Sequence, residues 1–178
     1  MGSRLPMSFL DRLFRTAPDP REALRPLWHR VVELAREPAL YRDDGVADTV
    51  AGRFDMVTAI LAIVLLRMER DRVLAGEAAL LTELFVEDMD GQLRQSGVGD
   101  MVVGKRVGKL VSVLGGRLGA LRTAFRADGE SELEAALARN VTMLPERGTE
   151  SLARRLRGFA HTVAALDSKS LLAGEIAL

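Results

Sequence analysis

The sequence has no cysteine, only two histidines, one tryptophan and one tyrosine. The absence of cysteine excludes a disulfide framework and thiolate chemistry, and it removes the commonest soft metal ligands. The histidines, His29 and His161, lie in separate segments with helical periodicity. Glu83, Glu87 and Asp90 share one helix face and could hold a hard cation, but a helical di-metal site normally needs Glu-x-x-His pairs, which are absent. We therefore predict no catalytic residue, no metal and no cofactor.

An excess of charge of one sign and long apolar runs are also lacking. The 25 basic and 25 acidic side chains give a formal net charge of zero, which argues against a dedicated nucleic-acid-binding protein. No apolar stretch reaches the roughly 20 residues of a transmembrane helix, and there is no signal-peptide pattern. We therefore expect a cytoplasmic location. Ser8–Arg15 could form a short membrane-surface helix, so peripheral contact at the inner face of the cytoplasmic membrane is an alternative to docking on the domain.

A chain of 178 residues suits one domain with a sizeable core. Apolar residues recur at helical spacing and no strand pattern competes, so the predicted fold is all-α, a single-domain bundle of about six to seven helices. The predicted helices are 7–15, 20–37, 50–73, 76–95, 101–126, 131–143 and 150–167. Residues 1–6 are interpreted as a cloning remnant or a flexible N-terminus, residues 7–167 as the domain, and residues 168–178 as a poorly ordered C-terminal tail.

The third predicted helix contains an almost unbroken apolar run, Met56–Leu66. A helix that is apolar on all sides is usually buried, so we predict that it lies at the centre of the bundle. Residues 38–49 before it are predicted to form a loop, and Asp48 is placed to cap the helix. Arg53 and Asp55 precede the apolar run, where they either hold the loop in place or contact a partner.

The segment 83–117 has an unusual arrangement of glycine, acidic and basic residues. Gly99, Gly104 and Lys105 fit the G-x-x-x-x-G-K spacing of a phosphate-binding loop. However, the next residue is Arg106 instead of the Ser or Thr that would hold magnesium, and the preceding segment has helical rather than strand periodicity. The spacing therefore does not predict a nucleotide site.

The same segment is better explained as a turn between two helices. Gly97 is predicted to be the left-handed end of the first helix, and Asp100 the N-cap of the second. In the first helix, Asp88 continues the apolar stripe of Leu84 and Phe85, so its carboxylate should be partly buried and needs a partner. The candidate partners are Arg53, Lys105 and Arg106.

The second helix of this pair has two contrasting faces. Its predicted core face is Val103, Val107, Leu110, Leu114, Leu118, Leu121 and Phe125. Its small-residue face is Gly104, Gly108, Ser112, Gly115 and Gly119. Each interior glycine costs a helix roughly 1 kcal/mol relative to alanine, so we expect close packing of another helix of the domain on this face, with a groove for an external partner as the alternative. Lys105, Arg106 and Lys109 border it, either as a solvated face or as a partner contact.

Two clusters of motifs resemble a known family. The first is Val46–Thr49 followed by Gly52–Asp55. The second is Phe85–Asp90, Leu93-Arg94, Gly97–Asp100 and Val103–Val107. In these motifs, within residues 40–125, the chain resembles the ubiquinol-cytochrome c chaperones, and looks like a bacterial-type member of that family, which assists assembly of the respiratory cytochrome b complex.

The resemblance implies a helical, non-catalytic protein that holds newly made cytochrome b, or another subunit of a respiratory complex, and assists its assembly. A small companion protein is a further partner that the family suggests. The residues expected to contact a partner are Arg53, Asp55, Asp90, Arg94, Asp100, Gly104, Lys105, Arg106, Gly108 and Lys109. The residues expected to have structural roles are Asp48, Phe54, Asp88, Gly97 and Gly99.

Two other interpretations stay open at this point. One is a small helical enzyme that uses the charged residues around the turn at 96–100, and the other is a membrane-associated helical adaptor for a different partner. A chaperone should have an exposed apolar or small-residue groove bordered by charges, whereas an enzyme should have a closed polar pocket with convergent titratable groups.

Overall fold

Six helices of ten or more residues build the protein in a computed structural model, which describes residues 19–95, 103–127 and 129–178. In chain order the helices are α1 (Arg25–Leu34), α2 (Pro38–Arg42), α3 (Val50–Met68), α4 (Ala75–Gln95), α5 (Val103–Arg126), α6 (Ser131–Asn140), α7 (Glu150–Ala165) and α8 (Ser168–Leu172). Short 3-10 turns, Pro20–Leu24 and Arg72–Leu74, lead into α1 and α4. The described ranges contain no strand, so the predicted all-α fold is confirmed. The predicted helix at 7–15 lies outside them.

Helix α3 is the centre of the bundle. Every residue from Met56 to Leu65 is buried, and α3 packs against α1, α4, α5 and α7. A helix that is apolar on all sides loses most hydration when neighbours enclose it completely, which explains its position. The predicted central helix is thus confirmed. Within the described residues, no helix is both long enough and apolar enough to cross a bilayer.

The segment before α3 differs from the predicted loop. Pro38 begins the short helix α2, because proline suits the first turn of a helix, and Leu40 in this helix is buried. The cap of α3 is Thr49, whose hydroxyl accepts a hydrogen bond from the backbone N–H of Gly52 at 3.1 Å. The prediction that Asp48 caps this helix is therefore wrong, since its carboxylate pairs with a side chain in the first turn instead.

The C-terminal segment is also more ordered than predicted. Asp167 caps α8 by accepting hydrogen bonds from two backbone N–H groups, and Leu171 and Ile176 are both buried. Arg30 of α1 donates to the backbone carbonyl of Ile176 at 2.8 Å. Residues 168–178 are thus part of the domain and not a poorly ordered tail. Two well-spaced apolar side chains are enough to anchor a segment that is otherwise too short to show periodicity.

Candidate partner-binding site

Asp55 lies at the centre of a buried polar cluster where α3 meets α5. Only 7% of its surface is exposed. One carboxylate oxygen pairs with Arg117, and the other accepts hydrogen bonds from the backbone N–H (2.9 Å) and hydroxyl (2.6 Å) of Thr142. Arg117 also donates to the hydroxyl of Thr58, and its guanidinium lies 5.5 Å from the ring centroid of Phe54. The expectation that Asp55 contacts a partner is therefore wrong, because internal groups occupy both oxygens.

The first turn of α3 holds the preceding loop by two contacts. A Cβ atom at Gly52 would collide with the backbone carbonyl oxygen of Ala47, so only glycine permits this approach. Arg53 donates to the carboxylate of Asp48 at 2.6 Å, and both side chains are more than half exposed. This hydrogen bond lowers the pKa of Asp48 below its usual value. Arg53 thus holds the loop, and a partner contact of its exposed side chain stays a prediction.

Helix α5 exposes a face of small residues, which we call the open face. It consists of Gly108, Ser112, Gly115 and Gly119, of which the first three are exposed and the last is half-buried. A Cβ atom added at any of its three glycines would meet no described atom within 4 Å. The opposite side of α5 carries the buried residues Leu110, Leu114, Leu121 and Ala124. The predicted close packing of another helix on this face is therefore wrong for these positions, as far as the described residues extend.

The borders of the open face combine charge with apolar surface. Lys109 is exposed beside it, and Val111 keeps 45% of its surface exposed. Several residues expected to contact a partner lie beyond the described side chains. Helix α4 includes position 94, and α5 includes positions 104–106, but the side chains of Arg94, Lys105 and Arg106 and the surroundings of Gly104 lie outside the description. Gly97, Gly99 and Asp100 lie outside the described residues altogether.

The acidic residues of α4 differ in their surroundings. Glu87 pairs with Arg21 at 2.9 Å, and Asp90 is half-buried. Asp88 is also half-buried, lines an open groove of about 900 Å³ between α1 and α4, and accepts a hydrogen bond from Gln92 at 3.4 Å. Of its three predicted partners, Arg53 pairs elsewhere and the other two side chains are not described. No group of three acidic or histidine residues in the described ranges could hold a metal ion.

Sequence reasoning missed the internal partners of the buried charges. Besides Arg117, it missed Asp44, which is only 2% exposed and pairs with Arg155 of α7. The hydroxyl of Ser151 also donates to Asp44, at 2.6 Å. Arg155 lies beside the apolar stripe of α7, a position where an arginine is usually exposed to solvent. Pairs this far apart in the sequence leave no local signal, so a single sequence does not reveal them.

The chain is similar to known proteins in both sequence and fold. A family model described as Ubiquinol-cytochrome C chaperone matches residues 42–178. The chain belongs to this family. A solved structure, the crystal structure of the Cbp3 homolog from Brucella abortus, is 28% identical, covers 95% of both chains and has a TM-score of 0.77. Among curated proteins, no match is found.

Membership of the ubiquinol-cytochrome C chaperone family confirms the resemblance drawn from the sequence motifs. It also supports a role as a chaperone in the assembly of this respiratory complex. The matched range runs past the predicted limit at residue 125 and includes α6, α7 and α8. The buried Asp55 cluster and the open face of α5 both lie within it.

Proposed function

We propose that the protein is a non-catalytic chaperone that binds newly made cytochrome b during assembly of the ubiquinol-cytochrome c reductase, using the open face of α5. Family membership supports the role in assembly. The observation that carries the proposal for the surface is that the glycines of this face lie within a long helix, yet no described atom approaches the position of a Cβ atom at Gly108, Gly115 or Gly119.

The energetics of the helix favour an external contact. Each interior glycine costs roughly 1 kcal/mol of helix stability relative to alanine, and packing within the described domain does not offset that cost at these positions. Small residues let the backbones of two helices approach closely, which is how apolar helices associate in membranes. An apolar helix of the client can therefore lie along the open face, with Val111 adding apolar contact and Lys109 facing its polar end.

The proposal also places the protein where such a client is made. We propose a cytoplasmic protein that meets cytochrome b at the inner face of the cytoplasmic membrane, and we keep Lys105 and Arg106 as expected contacts of this client. Other expected contacts, Asp90, Arg94 and Asp100, belong to the same proposal. A small companion protein belongs to this proposal as a further partner.

Affinity capture with matched variants tests the proposal. The tagged protein is purified from its own cells after mild membrane solubilisation, and cytochrome b is quantified by mass spectrometry. Gly115→Leu blocks the open face, whereas Gly158→Leu places the same side chain at an exposed position of α7 that also has no described atom within 4 Å. We expect the first variant to capture roughly tenfold less cytochrome b than the wild type and the second to capture the same amount. Both should retain the helical circular dichroism of the wild type.

Two results would contradict the proposal in different ways. Equal capture by both variants would exclude the open face as the contact and leave the family role untouched. Capture of other membrane proteins, without any subunit of the reductase, would contradict the client and favour a helical adaptor for a different partner.

A further inference from the structure

A second surface of the domain concentrates positive charge. The C-terminal ends of α3 and α5 meet the middle of α7 around a groove of about 340 Å³. Five arginines line it: Arg67, Arg70, Arg122, Arg126 and Arg157. His161 also lines the groove, and Glu69 is the one carboxylate among its lining residues in the described ranges. This charge excess is local, because the whole chain has a formal net charge of zero.

Only some of these arginine side chains have partners within the domain. Arg122 pairs with Glu69 at 2.7 Å, and Arg67 donates to the backbone carbonyl of Leu166 at 2.9 Å. Arg70 and Arg126, by contrast, are exposed, and their side chains make no hydrogen bond or ion pair with any described residue. A cluster of guanidinium groups around a recess raises the local positive potential and attracts anions.

Helix ends account for only part of the cluster. Arg67 and Arg126 lie in the last turns of α3 and α5, where a positive charge complements the helix dipole. Arg157 lies in the middle of α7, where its guanidinium donates to the backbone carbonyl of Gly129 at 2.6 Å and pairs with the carboxylate of Glu130 at 3.5 Å. It also lies 5.8 Å from the ring centroid of Phe125. These contacts fix the guanidinium among the residues that line the groove.

We propose that this groove binds a phosphate-bearing ligand. Guanidinium groups present paired N–H donors that match phosphate oxygens, and several arginines around one recess can bind more than one phosphate oxygen at once. The apolar floor, which includes Ile63, Leu66 and Ala160, lowers the local dielectric and strengthens these bonds. The phosphate belongs either to a soluble anion or to the headgroup of an anionic phospholipid. The inference does not depend on the proposed client, because the open face of α5 is a separate stretch of that helix.

Two binding assays with one pair of variants test the inference. Pyrophosphate is titrated into the full chain by calorimetry, and the full chain is co-sedimented with phosphatidylcholine vesicles with or without phosphatidylglycerol. Arg70→Gln/Arg126→Gln removes two unengaged groove charges. Arg139→Gln/Arg154→Gln removes the same charge from exposed positions outside the groove lining. Melting temperatures confirm that both variants are folded.

We expect binding in at least one assay, roughly tenfold weaker in the groove variant and unchanged in the control variant. Pyrophosphate binding alone would assign a soluble phosphate ligand, and vesicle binding that requires phosphatidylglycerol and is displaced by pyrophosphate would assign a lipid headgroup. No binding in either assay, or equal weakening in both variants, would overturn the inference. In the second case the binding would reflect total charge only.

Discussion

The glycines of α3 and α5 have opposite surroundings. In α3, Gly52 faces the backbone of the preceding loop so closely that the Cβ of any other residue would collide with Ala47. In α5, Gly108, Gly115 and Gly119 face no described atom within 4 Å. The fold itself explains the first glycine and gives no reason for the other three. This difference separates a glycine that the packing of the domain requires from glycines that no described residue covers.

The same contrast applies to charge. Asp55 of α3 and Arg117 of α5 are almost completely buried and satisfy each other, whereas Lys109 of α5 is exposed. Charged residues of these two helices therefore divide into buried ion pairs and exposed groups. Variants of both kinds of residue test this division.

Removal of the Asp55 carboxylate should have the largest effect on stability. Asp55→Ala leaves Arg117 buried without its ion-pair partner and leaves the backbone N–H of Thr142 without its acceptor. We expect the free energy of unfolding to fall by about 3–5 kcal/mol, as measured by urea denaturation. Asp55→Asn should lose less, because an amide oxygen can still accept from Thr142. Equal, small losses in both variants would show that the cluster contributes little to the fold.

Substitution of Gly52 should be the next most damaging change. In Gly52→Ala, the new methyl group must displace the Ala47 carbonyl or the first turn of α3. We expect a loss of about 2–3 kcal/mol in unfolding free energy. Gly76→Ala is the matched control, since a Cβ atom at that position in α4 meets no described atom. Equal stability of the two variants would contradict the close approach of Gly52 to the Ala47 carbonyl.

Alanine substitutions on the open face should raise the free energy of unfolding instead of lowering it. Gly115→Ala and Gly119→Ala add a methyl group where no described atom lies within 4 Å, so each should stabilise α5 by up to roughly 1 kcal/mol. Urea denaturation of the purified protein measures the gain, and cytochrome b capture should weaken at the same time. A loss of stability in both variants would indicate that the face is packed internally after all.

The smallest effect is expected at the exposed pair of Asp48 and Arg53. Because the hydrogen bond from Arg53 lowers the folded-state pKa of Asp48, its stabilisation is complete at neutral pH and is lost as the pH falls through that lowered value. Arg53→Ala should raise the pKa of Asp48 toward its usual range, with little change in stability because both side chains are exposed. An NMR titration of the carboxyl carbon measures the pKa, and an unchanged value would exclude the pairing.

Much of the fold could be predicted from the sequence because its strongest apolar patterns are compatible with only one arrangement. The apolar run Met56–Leu66 had to be enclosed, and its burial was predicted correctly. The cap of α3 was predicted wrongly, since Asp48 and Thr49 are both good capping residues and only the backbone geometry selects Thr49. The order of the C-terminal segment was missed because two apolar side chains, Leu171 and Ile176, are too few to form a pattern.

The candidate site was harder to predict, for a different reason. The small-residue face of α5 was visible as a pattern, but a stripe of glycine has the same sequence whether it faces another helix or solvent. The partner of Asp55 is 62 residues away, and long-range pairing of this kind has no local signature. Sequence reasoning therefore identified the helical fold and the family, while the division of the charged residues into buried and exposed groups required the structure.

Site-specific photo-crosslinking tests whether the open face of α5 contacts cytochrome b. A photoreactive residue replaces Ser112 on the open face of α5, and a second version carries it at Thr162, an exposed position of α7. After irradiation of intact cells, we expect a crosslink to cytochrome b from position 112 and none from position 162. A crosslink to cytochrome b from position 162 alone, or equal yields from both positions, would contradict the assignment of the open face as the client-binding surface.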